Sequence, residues 1–400
     1  MKPTIGGMAY NQTMFSKETK VRDSAPDVLR GFALLGIIMV NLAFFSNDPS
    51  EGIGKSTMAG TGNSLAGFLV FTLFEGKFFL IFSFLFGYSS HYIIGLNGKN
   101  TPRWIRRAVV LIVFGALHFS LLWHGDILFL YGSLGLLLTL FFNRSDKCIK
   151  IWATAIYATF SFFAILLALL AQLYPEPIRS NPIADAFTQV MRSGSYFDSI
   201  PARIDIWTQT IAAELLIQGA PVFVAFLLGL LAARRSALSS GSKALRLDVM
   251  IKYGLGLGLP IQALAGIIFT INESSANRSE SLYFWMLVVS FIFAPLLSMG
   301  YIGLILKQLE KSGHWLMQLS FPGRMSLTNY ISQSLVLSLI YGPWGFGLFQ
   351  KIDFWKSFVI AILVWSSLLF VSKLWLTKSS KGPAEWLLSR LTQRKRIASP

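Results

Sequence analysis

The sequence contains few charged residues and almost no cysteine. Asp, Glu, Lys and Arg make up 14% of the 400 residues, whereas soluble domains carry about 25%. The single cysteine, Cys148, excludes an internal disulfide and a cysteine-based metal cluster. The chain also lacks a phosphate-binding glycine loop, a zinc-type His/Cys spacing and a nucleophile elbow, so no metal site is predicted and these common enzyme classes are disfavoured.

Apolar residues dominate instead. Hydrophobic side chains make up 54% of the chain, and they form runs of about 20 residues, the length that a helix needs to cross the hydrocarbon core. Backbone groups in lipid must be satisfied within their own segment, so the predicted fold is an all-α, polytopic transmembrane bundle of about ten spans. The predicted spans are 28–46, 65–96, 105–123, 127–142, 150–173, 209–233, 249–271, 282–306, 324–342 and 354–376.

The 35 Lys and Arg residues outnumber the 19 Asp and Glu residues, and they cluster in alternate connections between the spans. Because cytoplasmic loops are enriched in Lys and Arg, this distribution places both termini in the cytoplasm, and it explains the basic composition without a nucleic-acid partner. Residues 1–26 are predicted to be a cytoplasmic segment, and 27–377 the transmembrane domain with an outer loop near 174–208. Residues 378–400 are predicted to be a basic amphipathic tail resting on anionic lipid headgroups.

Polar side chains inside the spans mark candidate functional sites, because ionisable groups are costly in lipid. In the first span, Asp27 and Arg30 are three residues apart, and Asn41 lies almost three helical turns after Arg30, so all three share one side of the helix. They are candidate site residues. The alternative is structural, with a capping Asp, a snorkelling Arg and an Asn that bonds between helices.

The second span contains Glu75 and Lys77, which cannot face each other on a regular helix. The pattern predicts a break at Gly76, a separate partner for each charge, or a helix that begins at headgroup depth. Glu214, in the sixth span, is a candidate proton or cation site, or a partner for Lys77.

Two histidines and an aspartate surround the short turn between the third and fourth spans. His118 lies inside the third span, whereas His124 and Asp126 belong to the turn. A carboxylate holds a neighbouring imidazole in one tautomer, as a general base requires. His118 and Asp126 are therefore the predicted catalytic pair, with His124 beside them. The alternatives are capping of the fourth helix by Asp126 and a structural role for His118.

The ninth span begins with a polar stripe. Ser326, Asn329 and Gln333 repeat at helical spacing, so they are predicted to face the bundle interior. Arg324 precedes them at the cytoplasmic mouth, where it would bind phosphate or snorkel. Arg324, Asn329 and Gln333 join the predicted substrate-binding set.

Four segments together resemble the YeiB family of bacterial integral membrane proteins. They are DVLRGFALLGIIMVN at 27–41, FEGKFFLIFSFLFG at 74–87, LHFSLLWHGDILFLYG at 117–132 and FPGRMSLTNYISQS at 321–334. The resemblance implies a multi-pass protein of the bacterial inner membrane.

The first segment is also similar to the start of transmembrane acyltransferases, including the lysosomal enzyme that acetylates heparan glucosamine. Those enzymes move an acyl group from cytosolic acyl-CoA to a sugar across the membrane, and the resemblance places Asn41 at the site. Their catalytic histidine follows the asparagine by about three helical turns. This chain has Gly52 in that region and no histidine before His91, so His118 is the predicted substitute from another helix.

The leading hypothesis is an acyltransferase with acyl-CoA as co-substrate, docked on Arg30 and Arg324 at the cytoplasmic mouth. His118, oriented by Asp126, would take a proton from an acceptor sugar or lipid near the outer face. Asn41 would donate a hydrogen bond to the developing oxyanion.

Two rival hypotheses use other features of the same bundle. In a secondary transporter or exporter, Glu75, Lys77 and Glu214 would be the coupling or substrate groups. The other rival is a non-catalytic scaffold. The lipid bilayer is the predicted environment in each case, and an oligomer is compatible with all three.

Overall fold

The computed structural model describes residues 23–49, 51–54, 58–95, 98–174, 181–311 and 314–393. Within these ranges the chain is helical and contains no strand, and eight helical segments are long and apolar enough to cross a membrane. The predicted all-α, polytopic bundle is thus confirmed. Most of the segment predicted for 1–26, and the end of the tail from residue 394, lie outside the described residues.

The described helices begin and end close to most of the predicted spans. They are α1 (Ala25–Ser46), α2 (Thr61–Leu69), α3 (Phe78–Ile94), α4 (Thr101–Leu121), α5 (Leu128–Leu138), α6 (Asp146–Leu173), α7 (Pro182–Ser193), α8 (Tyr196–Glu214), α9 (Ala220–Arg234), α10 (Leu247–Tyr253), α11 (Leu259–Ser274), α12 (Glu280–Glu310), α13 (Ser320–Arg324), α14 (Ser326–Tyr341), α15 (Phe354–Lys378) and α16 (Pro383–Thr392). Turns of π-helix extend α2, join α8 to α9 and join α10 to α11, at Val70–Phe74, Leu215–Gly219 and Gly254–Gly258.

The helices alternate in direction, so the cationic connections gather at one end of the bundle. The start of α6 meets the end of α9 there, where Arg234 Nη1 lies 2.8 Å from Asp146 Oδ1. We call this end, which also carries Arg30, the basic end, and the opposite one the outer end. The distribution of Lys and Arg predicts that the basic end faces the cytoplasm, and this orientation stays a prediction.

The predicted outer loop at 174–208 is largely helical where it is described. It contains α7, and α8 begins at Tyr196, well before the span start predicted at 209. Ser195 and Asp198 form a capping box that starts this helix. Pro201 is the sixth residue of α8, where its missing N–H removes one intrahelical hydrogen bond, and the helix nevertheless continues past it.

Arg203 fixes α8 to the outer end of α4. Its side chain is almost completely buried, and Nη1 donates to the carbonyl oxygens of Ser120 and Leu121 at 3.1 and 3.0 Å. The guanidinium also lies 5.3 Å from the ring centre of Tyr196 and 5.1 Å from that of Trp344. Carbonyls and aromatic faces together stabilise a buried cation in this position.

We expect Arg203→Ala to destabilise the protein by about 2–4 kcal/mol, because two charge-assisted hydrogen bonds and two ring contacts are lost. Thermal unfolding in detergent and limited proteolysis of α7 and α8 measure this. Arg192→Ala is the matched control, since Arg192 is exposed and its Nε donates to Gln350 Oε1 at 2.8 Å. Equal unfolding temperatures for the two variants would show that Arg203 does not anchor the outer helices.

Close helix packing at the basic end depends on glycine. A Cβ atom at Gly87 of α3 would lie 2.1 Å from the carbonyl oxygen of Phe226, and one at Gly229 of α9 would lie 2.0 Å from that of Phe84. The two backbones therefore touch at these positions. Small residues provide this kind of contact in membranes, where lipid removes the hydrophobic driving force between helices.

The C-terminal helix α16 packs against α4 and α14 at the basic end. Leu388 and Thr392 face the bundle and are buried, and Arg106 Nε donates to the carbonyl oxygen of Thr392 at 3.2 Å. Trp386 and Leu391 are half exposed on the other side. Helix α16 thus has one buried and one exposed side, and the basic amphipathic tail predicted for 378–400 and its contact with anionic headgroups stay predictions.

Candidate functional site

A break in the membrane helix separates α2 from α3 and exposes two charges to the interior. Gly76 has φ +78°, a conformation that glycine adopts without strain, so the predicted break at this residue is confirmed. Lys77 is fully buried, and its Nζ donates to the carbonyl oxygen of Phe71 at 2.9 Å and to Ser290 Oγ at 3.1 Å. Glu75 points elsewhere and lines a cavity.

This cavity has a volume of about 160 Å³ and lies in the outer half of the bundle. This volume is large enough for several water molecules or a short acyl group, given about 30 Å³ per liquid water. Its polar lining comes from α1, the helix break, the α4–α5 turn, the α8–α9 segment and α14. These residues are Asn41, Glu75, His124, Asp126, Thr210, Glu214, Gln218 and Tyr330. Candidates that are far apart in the sequence thus share one site.

His118 and Asp126 meet at the wall of the cavity. His118 Nδ1 lies 2.8 Å from Asp126 Oδ2, and both side chains are almost completely buried. The contact is of hydrogen-bond length without the alignment of a regular hydrogen bond. The other oxygen of Asp126 accepts from the backbone N–H of Phe129 at 2.7 Å, in the first turn of α5. Asp126 therefore caps the helix and contacts the imidazole at the same time.

The other ring nitrogen of His118 is free. Nε2 is buried and has no hydrogen-bond partner among the described residues. His118 does not itself line the cavity, but its ring centre lies 4.9 Å from that of Tyr330, which does. An imidazole with a carboxylate on one nitrogen and nothing on the other has the arrangement of a general base.

A glycine brings the pair together. A Cβ atom at Gly115, one turn before His118 on α4, would lie 2.5 Å from Asp126 Oδ1 and 2.3 Å from the backbone nitrogen of Phe129. Only a residue without a side chain lets the α4–α5 turn fold this tightly. The position of the Asp126 carboxylate against His118 therefore depends on Gly115.

His124, in the α4–α5 turn, lines the cavity directly. Burial, with a smaller contribution from the positive charge of Arg203, lowers the pKa of His124 to about 3, so its imidazole is neutral. The ring packs edge-on against Phe187 of α7, with centres 5.0 Å apart. The outer helix α7 thus covers the turn, and Thr188 Oγ1 holds it by donating to Asp48 Oδ2 at 2.8 Å.

The candidates at the basic end lie apart from the cavity. Asp27 and Arg30 form the predicted pair, with Nη1 2.7 Å from Oδ1, and Arg324 lies at the same end of the bundle. Leu34 lies between Arg30 and Asn41 on α1 and is fully buried. Packed side chains therefore separate the Asp27–Arg30 pair from the cavity. The stripe predicted along α1 therefore joins the cation at the basic end to the cavity only through this apolar layer.

Asn329 and Gln333 face the interior as predicted, but they hold helices together. Asn329 Nδ2 donates to Ser372 Oγ of α15 at 2.9 Å, and Gln333 Nε2 donates to the carbonyl oxygen of Leu34 at 3.2 Å. Tyr330, the next residue after Asn329, reaches the cavity, and sequence reasoning missed it. Its position next to Asn329 of the polar stripe could have indicated a place in the site, but an aromatic ring in a membrane helix is usually a packing residue.

Three carboxylates line the cavity, on Glu75, Asp126 and Glu214. Within the described ranges, no group of three or more His, Cys, Asp or Glu residues is arranged to hold a metal ion. Thr210 Oγ1 donates to Glu214 Oε1 at 3.3 Å, which orients that carboxylate in the wall. The three carboxylates and the neutral His124 ring therefore give the cavity a polar wall that can accept hydrogen bonds.

Fold and site together define a multi-pass helical membrane protein with a polar cavity enclosed in an apolar bundle. The chain belongs to the YeiB family. It is 30% identical over 392 residues to the "Uncharacterized protein YxaH" of Bacillus subtilis (strain 168). This match covers 92% of this chain and 94% of the relative. It is 26% identical over 386 residues to the "Uncharacterized protein YeiB" of Escherichia coli (strain K12), covering 93% and 97%.

Two further comparisons agree with this membership. An "Uncharacterized 39.9 kDa protein in amylase 3'region" from Bacillus acidopullulyticus is 28% identical over 385 residues, covering 93% of this chain and 94% of the relative. The family described as "Protein of unknown function (DUF418)" matches residues 232–395. No solved structure matches the chain.

Proposed function

We propose that the protein is a transmembrane acyltransferase that uses acyl-CoA. The observation that carries the proposal is the 2.8 Å contact of His118 Nδ1 with Asp126 Oδ2, at the wall of a cavity that also contains Asn41. A base held by a carboxylate, together with an amide donor for an oxyanion, is what acyl transfer to a hydroxyl or amine requires. The similarity of α1 to the start of acyltransferases supports the same conclusion.

In the proposed reaction, His118 Nε2 removes a proton from the acceptor as the acceptor attacks the thioester carbonyl. The Asn41 amide donates to the oxyanion that forms. The carbon–sulfur bond then breaks, and the proton on His118 passes to the CoA thiolate. The products are the acylated acceptor and free CoA. Because Tyr330 contacts both the cavity and the His118 ring, its side chain must turn aside during the reaction.

Acyl-CoA is proposed to enter from the basic end, with its phosphates against Arg30 and Arg324. The packed layer around Leu34 must open for the thioester to reach the cavity. The acceptor, a sugar or lipid, would approach from the outer end beneath α7. Substrate-driven opening of this kind is common in enzymes that keep water away from the reacting groups.

The test uses the full chain in lipid nanodiscs with acetyl-CoA and longer acyl-CoA species, in the presence of a bacterial glycan and lipid extract. Free thiol release measures turnover. We expect wild type and His91→Ala to release CoA, since His91 lies at the basic end of α3, away from the cavity. Absence of turnover by wild type with every acyl-CoA would exclude the proposed function.

Gly115→Ala is expected to lower acyl transfer by about tenfold or more while leaving His118 and Asp126 in the sequence. The added methyl group would displace the Asp126 carboxylate from His118. Such a shift costs rate because proton transfer depends on the geometry of the pair. Unchanged kcat in Gly115→Ala, with a normal unfolding temperature, would show that this geometry does not matter.

A specific observation favours a transporter as the second candidate. A broken membrane helix with a fully buried Lys77 beside Glu75 is typical of transporter binding sites. This candidate predicts proton- or ion-driven flux of a small solute or lipid in proteoliposomes, lost in Glu214→Gln. Equal flux in liposomes with and without the protein, across a broad metabolite panel, would exclude it.

A further inference from the structure

A second, apolar groove runs along the surface of the bundle between α3, α6, α9 and α12. Its volume is about 490 Å³, and its walls include Leu80 and Phe84 of α3 and Val224 and Leu228 of α9. Leu228 is 45% exposed, so the groove lies on the side of the bundle that hydrocarbon surrounds. It shares no lining residue with the polar cavity.

We propose that this groove binds an anionic glycerophospholipid from the leaflet at the basic end. One acyl chain would lie between the helices, and the phosphate would lie against Lys150, Arg235 and Arg246. The proposal is independent of acyl transfer, because no residue of the His118 site takes part.

The charge at one end of the groove supports an anionic headgroup. Lys150, Arg235 and Arg246 come from three separate elements, are exposed, and line the groove together with no carboxylate. Asp146 lies 3.3 Å from Arg235 Nη2, but it is shared with Arg234 at 2.8 Å. In the described chain neither Lys150 nor Arg246 forms an ion pair, so the rim keeps an excess of positive charge. Basic pockets between membrane helices bind anionic headgroups in this way.

The length of the groove supports an acyl chain. Its lining extends along α9 from Pro221 to Arg235, the residue after the end of the helix, which is about 21 Å at helical rise. This distance reaches from headgroup depth beyond the middle of a hydrocarbon core of about 30 Å. The walls along this distance are mostly apolar, with Tyr157 and Ser298 as the uncharged polar side chains, and the three cations lie at the basic end only. A groove of this pattern matches a lipid better than a soluble anion.

The end of the groove that lies away from the three cations contacts the break between α2 and α3. Ser298, which lines the groove, donates from Oγ to the carbonyl oxygen of Lys77 at 2.9 Å. Leu80 lines the groove, whereas Phe79, the residue before it, lines the polar cavity. A chain bound in the groove would therefore support the segment of α3 that forms a wall of the proposed active site.

Native mass spectrometry of the full chain, titrated with phosphatidylglycerol or phosphatidylcholine, tests the proposal. We expect one phosphatidylglycerol molecule to bind, with phosphatidylcholine weaker by about tenfold or more. The triple variant Lys150→Gln, Arg235→Gln and Arg246→Gln should lose this preference. Leu228→Trp should weaken binding without a change of charge, because its larger side chain would fill the groove from an exposed position.

The matched control is the triple variant Lys99→Gln, Lys311→Gln and Lys378→Gln. These lysines are exposed and do not line the groove, so this variant should bind phosphatidylglycerol like wild type. Equal affinity for both lipids, or wild-type affinity in both Leu228→Trp and the groove triple variant, would overturn the proposal. So would displacement of bound phosphatidylglycerol by equimolar palmitoyl-CoA, which would identify a different occupant.

Discussion

His118→Ala is expected to lower kcat for acyl transfer by about 10²–10⁴-fold, the usual contribution of a positioned general base. The reason is that Nε2 of His118 is the proposed acceptor of the proton, and no described side chain bonds to that atom to take its place. Asp126→Asn is expected to cause a loss of similar size, because an amide favours the wrong tautomer of the imidazole. Thiol release under saturating acyl-CoA measures both.

Two controls separate catalysis from folding. His91→Ala removes an imidazole at the other end of the bundle and should retain wild-type kcat. Because His118 is buried, its replacement by Ala leaves a cavity, so thermal unfolding of His118→Ala is measured beside kcat to show that the variant is folded. A folded His118→Ala variant with wild-type kcat would contradict the assignment of His118 as the base.

Gly87→Ala is expected to destabilise the protein by about 3 kcal/mol, at the upper end of the usual cost of overpacking. The added methyl group would lie 2.1 Å from the carbonyl oxygen of Phe226, and backbone atoms cannot turn away as a flexible side chain does. The α3–α9 pair would have to separate, with loss of its close packing. Thermal unfolding of the purified protein, followed by circular dichroism, measures the effect.

Gly256→Ala is the matched substitution. Gly256 lies within the π-helical segment between α10 and α11, and a Cβ atom there would meet nothing within 4 Å. Because alanine favours helix over glycine, this variant should be as stable as wild type or slightly more so. If Gly87→Ala and Gly256→Ala unfold at the same temperature, close backbone contact between α3 and α9 does not stabilise the fold.

Much of the architecture was predictable because the membrane imposes simple rules. The length of the apolar runs and the cationic loops between them were sufficient to predict the all-α bundle. The i, i+3 spacing of Asp27 and Arg30 was sufficient to predict their ion pair. A break at Gly76 was one of three alternatives that the sequence left open, since Glu75 and Lys77 could not share a helix face, and the structure has that break. Local signals of this kind depend on residues that are close in the sequence.

The cavity itself was not predictable in the same way. It brings Asn41, Glu75 and Glu214 together through helix packing, which no local pattern encodes. Two π-helical turns border it and shift the register of α2 and of α8–α9, and the sequence carries no sign of either. Tyr330 and Arg203 were missed for a related reason, because their roles depend on which neighbouring helix each side chain meets.

Transfer of label in native membranes tests the central claim most directly. Inverted membrane vesicles from a bacterium that overproduces the protein are given acetyl-CoA labelled in the acetyl group, and label in the lipid and glycan fractions is followed over time. The account predicts rapid labelling with wild type, and background labelling with His118→Ala at equal protein levels. Equal labelling with wild type, His118→Ala and vesicles that lack the protein would contradict it.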